Sequence, residues 1–403
     1  MKKNRMFVVL LGILVMLMAV GSAAAADDDT IYFGLPAQLT GADTYIHGEL
    51  LVDVAQLAVD EINEAGGILG KKVALKTMDD AGDPKQGVNV ANSFCDDPSV
   101  VAVLGHPYSG VTIAALPIYE KCNMPVATHG SSPVITELGY KNIIANSPND
   151  FIASFATADF AKNDLGIKSV AIIHNKSLWG QGVSGQFKVR AEEIGITVTS
   201  YQGVDPEDVD FTPVLTKVDG EHPDAIYFAG YTEQGLLRKQ MASLGMEEIF
   251  IAAEATSSEY IDVVGKDGIG TISPTGAPPM DFTDTMKEFA AKFAAKYDGK
   301  MPESWSAYYY DKVYMIKDVI EKANSFKRED IVAHIHEADV PSVVYPQGDQ
   351  FDERGRLEHP VMFIYRLEDD LQYHTVYTWE DVPPHKTMDP AEYQRWIDLL
   401  QNK

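Results

Sequence analysis

The sequence predicts an α/β protein of two lobes, each built round a parallel sheet. Three observations carry that expectation: strand-like and helix-like segments alternate along the chain, the chain is too long for one core, and it is apolar enough to fill two. It has 403 residues, whereas single hydrophobic cores stop growing at roughly 250–300 residues. A hydrophobic fraction of 45%, with 19 Tyr, 16 Phe and 4 Trp, excludes a disordered chain.

In the first half, strand-like runs at 31–36, 72–78, 100–104 and 125–128 alternate with helix-like stretches at 48–63, 84–95 and 110–121. Helical patterns of about 10–15 residues between strands mean βαβ units and parallel pairing. Gly66 and Gly67 close the first helix and Pro84 opens the second, as glycine after a helix end and proline at a helix start do. A second series begins near Asp150, with strands at 169–174, 197–201, 225–229 and 249–253 and helices at 181–194 and 233–244. Residues 275–279 are rich in proline and small side chains and read as a crossing segment. Helices at 284–296 and 306–323 and strands at 361–366 and 373–378 follow. A tail at 381–403 carries Asp389 as a helix cap before Pro390 and ends in a short amphipathic helix.

Residues 1–26 read as a secretory signal. Lys2, Lys3 and Arg5 precede an apolar run at 6–20 and small residues at 21–26, the plan of a cleaved export signal. The run is shorter than the roughly 20 residues a membrane span needs, and no cysteine follows it for a lipid anchor. Cleavage would remove three of the 33 basic residues and none of the 59 acidic ones, taking the formal charge from −26 to −29. The mature chain is expected to be exported and free of the membrane. Such acidity excludes nucleic acid as a partner, which demands a basic stripe, and 2 Cys exclude a disulfide scaffold.

Two apparent chemical motifs fail on context. Gly180, Gly182 and Gly185 spell a dinucleotide fingerprint, but about five residues separate them from the preceding strand, where the fingerprint needs an immediate turn; they read as a helix entrance. His334, His336 and Glu337 have metal-ligand chemistry, yet two-residue spacing on a helix places the histidines on different faces. No cofactor and no metal are expected, and no convergent acid, base and nucleophile set suggests an enzyme.

Two loops carry more information. Residues 105–110, with Ser109, and 128–133, with Ser131 and Ser132, each join the carboxyl end of a strand to a helix. Ligands of open α/β sheets bind at that edge, where helix N-termini offer spare N–H groups to an anion. The serines read equally well as helix caps. Glu254, just past a strand end, reads as a solvated loop residue or as the partner of an ammonium group.

Other segments supply a family resemblance. Phe33, Gly34, Leu39, Thr40 and Gly41, the run at 58–68 (AVDEINEAGGI), the run at 79–84 (DDAGDP), residues 103–106 (VLGH) with Ser109, and Gly230 with Tyr231 resemble the leucine/isoleucine/valine-binding proteins of ABC importers. The resemblance runs to about Tyr377. It implies a type I periplasmic binding fold, with two Rossmann-like lobes joined by a three-segment hinge: lobe one at 27–150 and 277–362, lobe two at 151–276 and 363–403, the latter with the C-terminal extension. It also implies a monomer in the periplasm that captures an amino acid, branched-chain or otherwise aliphatic, and delivers it to a permease with ATPase subunits.

The resemblance further implies that Ser109 and Ser131 bind the ligand carboxylate, that Glu254 and the carbonyl of His129 bind its ammonium, and that His47, Pro107, Tyr108, Gly130, Trp179, Tyr231 and Trp305 line the side-chain pocket. Ser131 stands for the family's threonine. Trp179, Trp305, Tyr108 and His47 stand for Tyr, Phe, Cys and Tyr, so this wall is more aromatic. Three alternatives stay open: an amide or urea ligand, an aromatic carboxylate, and a sensory receptor. The family's own disulfide needs a cysteine where this chain has Gly82. Cys95 and Cys122, which close successive helices before adjacent strands, are expected to pair instead.

Overall fold

The computed structural model describes residues 29–41, 44–345, 348 and 350–379. The expected signal at 1–26 and the tail helix at 381–403 lie outside the described residues. Strand β1 (Thr30–Ala37), helix α1 (Leu50–Glu64), β2 (Lys72–Asp79), α2 (Pro84–Asp96), β3 (Val100–Leu104), α3 (Ser109–Lys121) and β4 (Val126–Thr128) fall within two residues of expectation. Short α4 (Val134–Glu137) and β5 (Ile143–Ala145) complete this part.

The second series runs α5 (Asp150–Asn163), β6 (Ser169–Asn175), α6 (Leu178–Glu193), β7 (Thr197–Val204), α7 (Thr212–Asp219), β8 (Ala225–Ala229), α8 (Glu233–Leu244), β9 (Ile249–Ala252), α9 (Ser258–Val264) and β10 (Ile272–Thr275). The chain then returns through α10 (Asp284–Lys296), α11 (Ala307–Ala323) and α12 (Arg328–His334), and crosses again to β11 (Met362–Leu367) and β12 (Tyr373–Trp379).

Five strands form one sheet in the order β2-β1-β3-β4-β5, all parallel. Seven form the other, β12-β11-β10-β9-β8-β6-β7. Its strands β10-β9-β8-β6-β7 are parallel, as expected, and two edge strands are added: β11 lies antiparallel to β10, and β12 antiparallel to β11. β11 enters from the other lobe rather than through a crossover helix, and a short turn at 368–372 folds β12 straight back on it. The turn at 368–372 is far shorter than the dozen or so residues that parallel pairing requires, whereas β11 arrives after the long excursion at 276–361. Three segments link the lobes, between β5 and α5, between β10 and α10, and before β11.

Local chemistry explains the well-placed elements. Asp83 caps α2 by accepting from Lys85 N and Gln86 N, with Pro84 in the first turn. Gly67, at φ 80°, turns the chain out of α1 so tightly that a Cβ would stand 2.0 Å from the Lys71 carbonyl. α1 buries Leu50, Leu51, Val54, Leu57, Ala58 and Ile62 against a core that includes Phe33, Leu35, Phe289, Tyr309 and Ile316. The second lobe packs Phe187 on Tyr227, rings stacked at 4.0 Å, with Ile172 and Ile251.

The fingerprint glycines sit inside α6. Gly180 serves close packing: a Cβ there would lie 2.2 Å from Asn175 Oδ1 and 3.0 Å from the Ala229 carbonyl. His334 pairs with Glu337 at 3.0 Å while His336 meets the Ile143 carbonyl, and no metal-binding group occurs among the described residues.

Cys95 and Cys122 form a disulfide, with Cα atoms 5.8 Å apart, closing a separation of 27 residues. Closing a loop of that size stabilises by about 3 kcal/mol in the chain-entropy account. Native protein should therefore show no titratable thiol, and Cys95→Ser or Cys122→Ser should each lower the urea-unfolding free energy by about that amount. The double variant should lose no more than either single one.

Candidate functional site

The carboxyl ends of both sheets open onto one cleft, so each sheet offers strand-to-helix loops to the same space. From the first lobe come the loops after β3 and β4, and from the second those after β6, β8 and β9. The topology thereby sets two rows of spare N–H groups and loop side chains face to face.

The loop after β3 is anchored from below. His106 is completely buried, with Nδ1 2.7 Å from Asp80 Oδ2 and Nε2 3.0 Å from the Tyr119 hydroxyl. Its carbonyl accepts from the hydroxyls of Thr112 and Thr128. The partners come from three places, the loop after β2, α3 and β4, so the loop carrying Tyr108 and Ser109 has little freedom.

The serines are not caps. Tyr108 occupies the cap position of α3, placing Ser109 in the first turn, and Pro133 occupies that of α4. Ser109 Oγ instead accepts from Ser132 N at 3.2 Å, tying the two loops together. Ser131 Oγ accepts from Trp179 Nε1 at 3.1 Å, and Asp150 Oδ1 takes the same hydrogen at 3.1 Å. That indole belongs to α6 of the other lobe, so this shared bond spans the cleft. Gly130 leaves no room for a side chain, since a Cβ would meet Ile135 at 2.5 Å.

An aromatic wall follows. Trp179 stacks on Tyr231 at 5.2 Å, and Tyr231 meets Tyr108 edge-on at 5.2 Å. Tyr108 packs beside His47 at 4.7 Å and donates to Gln38 Oε1 at 2.6 Å. Glu233 holds the loop after β8 by accepting from Tyr231 N and Asn175 Nδ2. At the mouth, Ser258 of the second lobe donates to Glu303 through both its amide and its hydroxyl; the lobes are closed on one another.

Glu254 stands at the end of β9 with φ at 59°, its amide bonded to the Pro274 carbonyl. Burial, and then the neighbouring Asp150, push its carboxyl up to about 8. Asp150 is itself pushed up to about 7 by burial, against the opposing hydrogen bonds of Ser131 and Trp179, and its Oδ2 has no partner. Two acids that hold protons near neutrality attract a cation strongly once they ionise.

All ten expected ligand contacts, with Pro107, surround one small compartment of about 50 Å3, whose members include Tyr108, Ser109, Gly130 and Ser131. His47, His129, Trp179, Tyr231, Glu254 and Trp305 also border an adjoining space of about 170 Å3 that ends on Leu50, Leu51 and Tyr260. Sequence reasoning missed Gln38, Asp150, the Leu50 and Leu51 end of α1, and Glu303. Only Asp150 left a signal, the Asn149 cap that starts α5.

Two α/β lobes clasping a cleft of this size define a bilobal binding protein for small solutes. The sequence model of the periplasmic binding protein family matches residues 30–372, and the chain belongs to that family, whose members bind solutes rather than transform them. Among its relatives is Leu/Ile/Val-binding protein homolog 1 of Brucella suis, 30% identical over 354 residues, 87% of this chain and 93% of the relative. Leu/Ile/Val-binding protein BraC3 of Rhizobium johnstonii is 34% identical over 306 residues, 75% of this chain and 82% of the relative. The crystal structure of the leucine-binding protein LivK from Thermotoga maritima superposes with a TM-score of 0.80 at 25% identity, covering 87% of this chain and 99% of that one.

The Asp80 contact makes the site depend on a buried pair. Asp80→Ala, which strands His106 in the interior, should destabilise the protein by about 3 kcal/mol in urea unfolding. Asp80→Asn, which keeps an acceptor for the ring, should cost clearly less.

Proposed function

We propose that the protein captures a zwitterionic α-amino acid outside the cytoplasm, as a monomer in the periplasm, and hands it to an ABC permease. One observation carries this reading: Glu254 faces, across a closed cleft, the loops of Ser109 and Ser131. The ligand carboxylate is bound by the two serines and the amides beside them, its ammonium by Glu254 and the His129 carbonyl, and its side chain by the rings of Tyr108, Trp179, Tyr231 and Trp305 with His47. The names of the relatives, Leu/Ile/Val-binding proteins, support a side chain of branched-chain size. The lobes that close are 27–150 with 277–362 and 151–276 with 363–403. Only a ligand carrying both charges at one carbon bridges them, so its contacts favour the closed state.

Glu254→Gln should weaken ligand binding by about 2–5 kcal/mol, the effect of removing one partner from a buried charge pair; calorimetry that finds equal affinity removes the assignment. The proton on Glu254 adds a pH signature. Below about 8 the empty site holds a neutral carboxylic acid there, while the ammonium requires the carboxylate. Affinity should therefore rise with pH, by up to about tenfold per unit, and level off above that point, with proton release measurable in buffers of different ionisation enthalpy. A flat profile from pH 6 to 9 contradicts the pairing.

A further inference from the structure

One polar pair behind the cleft wall is unexplained by a zwitterion with an aliphatic side chain. Lys312, on α11, is 0% exposed. Its Nζ lies 2.9 Å from His129 Nδ1 and 3.4 Å from the centre of the Tyr309 ring. No carboxylate pairs with it among the described residues. Burial drives its pKa well below the ordinary lysine value, and burial, then Lys312 and His47, do the same to His129. Taking an amine out of water costs several kcal/mol, and a leucine at 312 would avoid that cost.

The amine does fix the imidazole. We take the amine as the donor: its nitrogen lies over a π face that draws hydrogens towards it, and a further hydrogen then reaches His129 Nδ1. With Nδ1 accepting, the neutral ring carries its own hydrogen on Nε2. Among the described residues Nε2 has no hydrogen-bond partner, and His129 borders both parts of the cleft. Trp305 lies beside it, ring centres 5.9 Å apart, and its indole nitrogen is buried without a partner. A buried donor left unsatisfied costs about 1–3 kcal/mol, and the Trp305 indole is one, so it and the cleft-facing Nε2 of His129 beside it call for an acceptor from a ligand.

We propose that the captured amino acid ends in a neutral carbonyl group, an amide or ureido function, which accepts from the Nε2–H of His129 that Lys312 holds in place. The proposal rests on the zwitterion reading above and narrows its side chain. An amide occupies nearly the outline of a leucine side chain, so it suits the same space. A second carboxylate suits it badly, because Glu259 and Glu303 border the cleft together with Glu254. Lys312 is a positioning residue and touches the ligand only through His129.

Calorimetric titration of the full chain with leucine, valine, asparagine, glutamine and citrulline tests this. The expected result is that one of the last three binds at least about tenfold more tightly than leucine, the worth of one buried hydrogen bond. That ratio should collapse in His129→Phe and in Lys312→Met, and survive in part in His129→Gln, which restores an N–H donor. Nitrogen NMR should find the His129 hydrogen on Nε2 in the native protein and spread over both nitrogens in Lys312→Met. Leucine or valine binding as tightly as the best of the three, or a ratio unchanged in both variants, overturns the proposal and leaves the zwitterion reading standing. If no amino acid binds, both fall.

Discussion

A carboxyl group held in a closed cleft with no cation beside it is the constraint on which this molecule turns. Glu254 and Asp150 lie within each other's field, and neither has a lysine or arginine partner among the described residues. Burial of an unpaired carboxylate is costly enough that the group keeps its proton instead. A positive charge brought into the closed site would therefore favour the ionised forms of both acids. The shared hydrogen bond from Trp179 to Ser131 and Asp150 lets one lobe sense the state of the other's acid.

Capture also requires the opposite quality, rigidity, in the loops that wait for the ligand. His106 with Asp80 and Tyr119, the Ser109 link to Ser132, and Glu233 beneath Tyr231 fix the backbone before anything binds. Ordering paid for during folding is not charged again on binding. The aromatic wall contributes in the same way, since rings packed on rings have few rotamers to lose.

The sequence was legible where one property repeats. Continuous apolar runs such as Val100–Leu104 and Ala225–Ala229 placed the central strands, and glycine or proline at their edges set the limits. β5 has three residues, too few for any period to register. α5 buries Ile152, Ser154, Thr157, Ala158 and Phe160 on no single stripe, so its helical rhythm is faint. The antiparallel seat of β11 depends on where the chain arrives from, which no local pattern encodes. At the site, Ser109 and Glu254 were readable because they sit at strand ends, and the aromatic residues because the family resemblance marked them. Gln38 and Lys312 were not. Lys312 stands in a helix where lysine normally reaches water, and its partner lies 183 residues away; only packing reveals that it faces inward.

The bond between Cys95 and Cys122 has a bearing on how the molecule comes into being. Thiols stay reduced in the cytosol and pair in oxidising compartments, so a newly made chain lacks this cross-link until it reaches an oxidising compartment. Before then the layer formed by α2 and α3 is held by packing alone, and the polypeptide is easier to thread in an unfolded state. Afterwards the same layer is fastened at the helix ends remote from the cleft. The two cysteines thus tie full stability of the first lobe to an oxidising compartment.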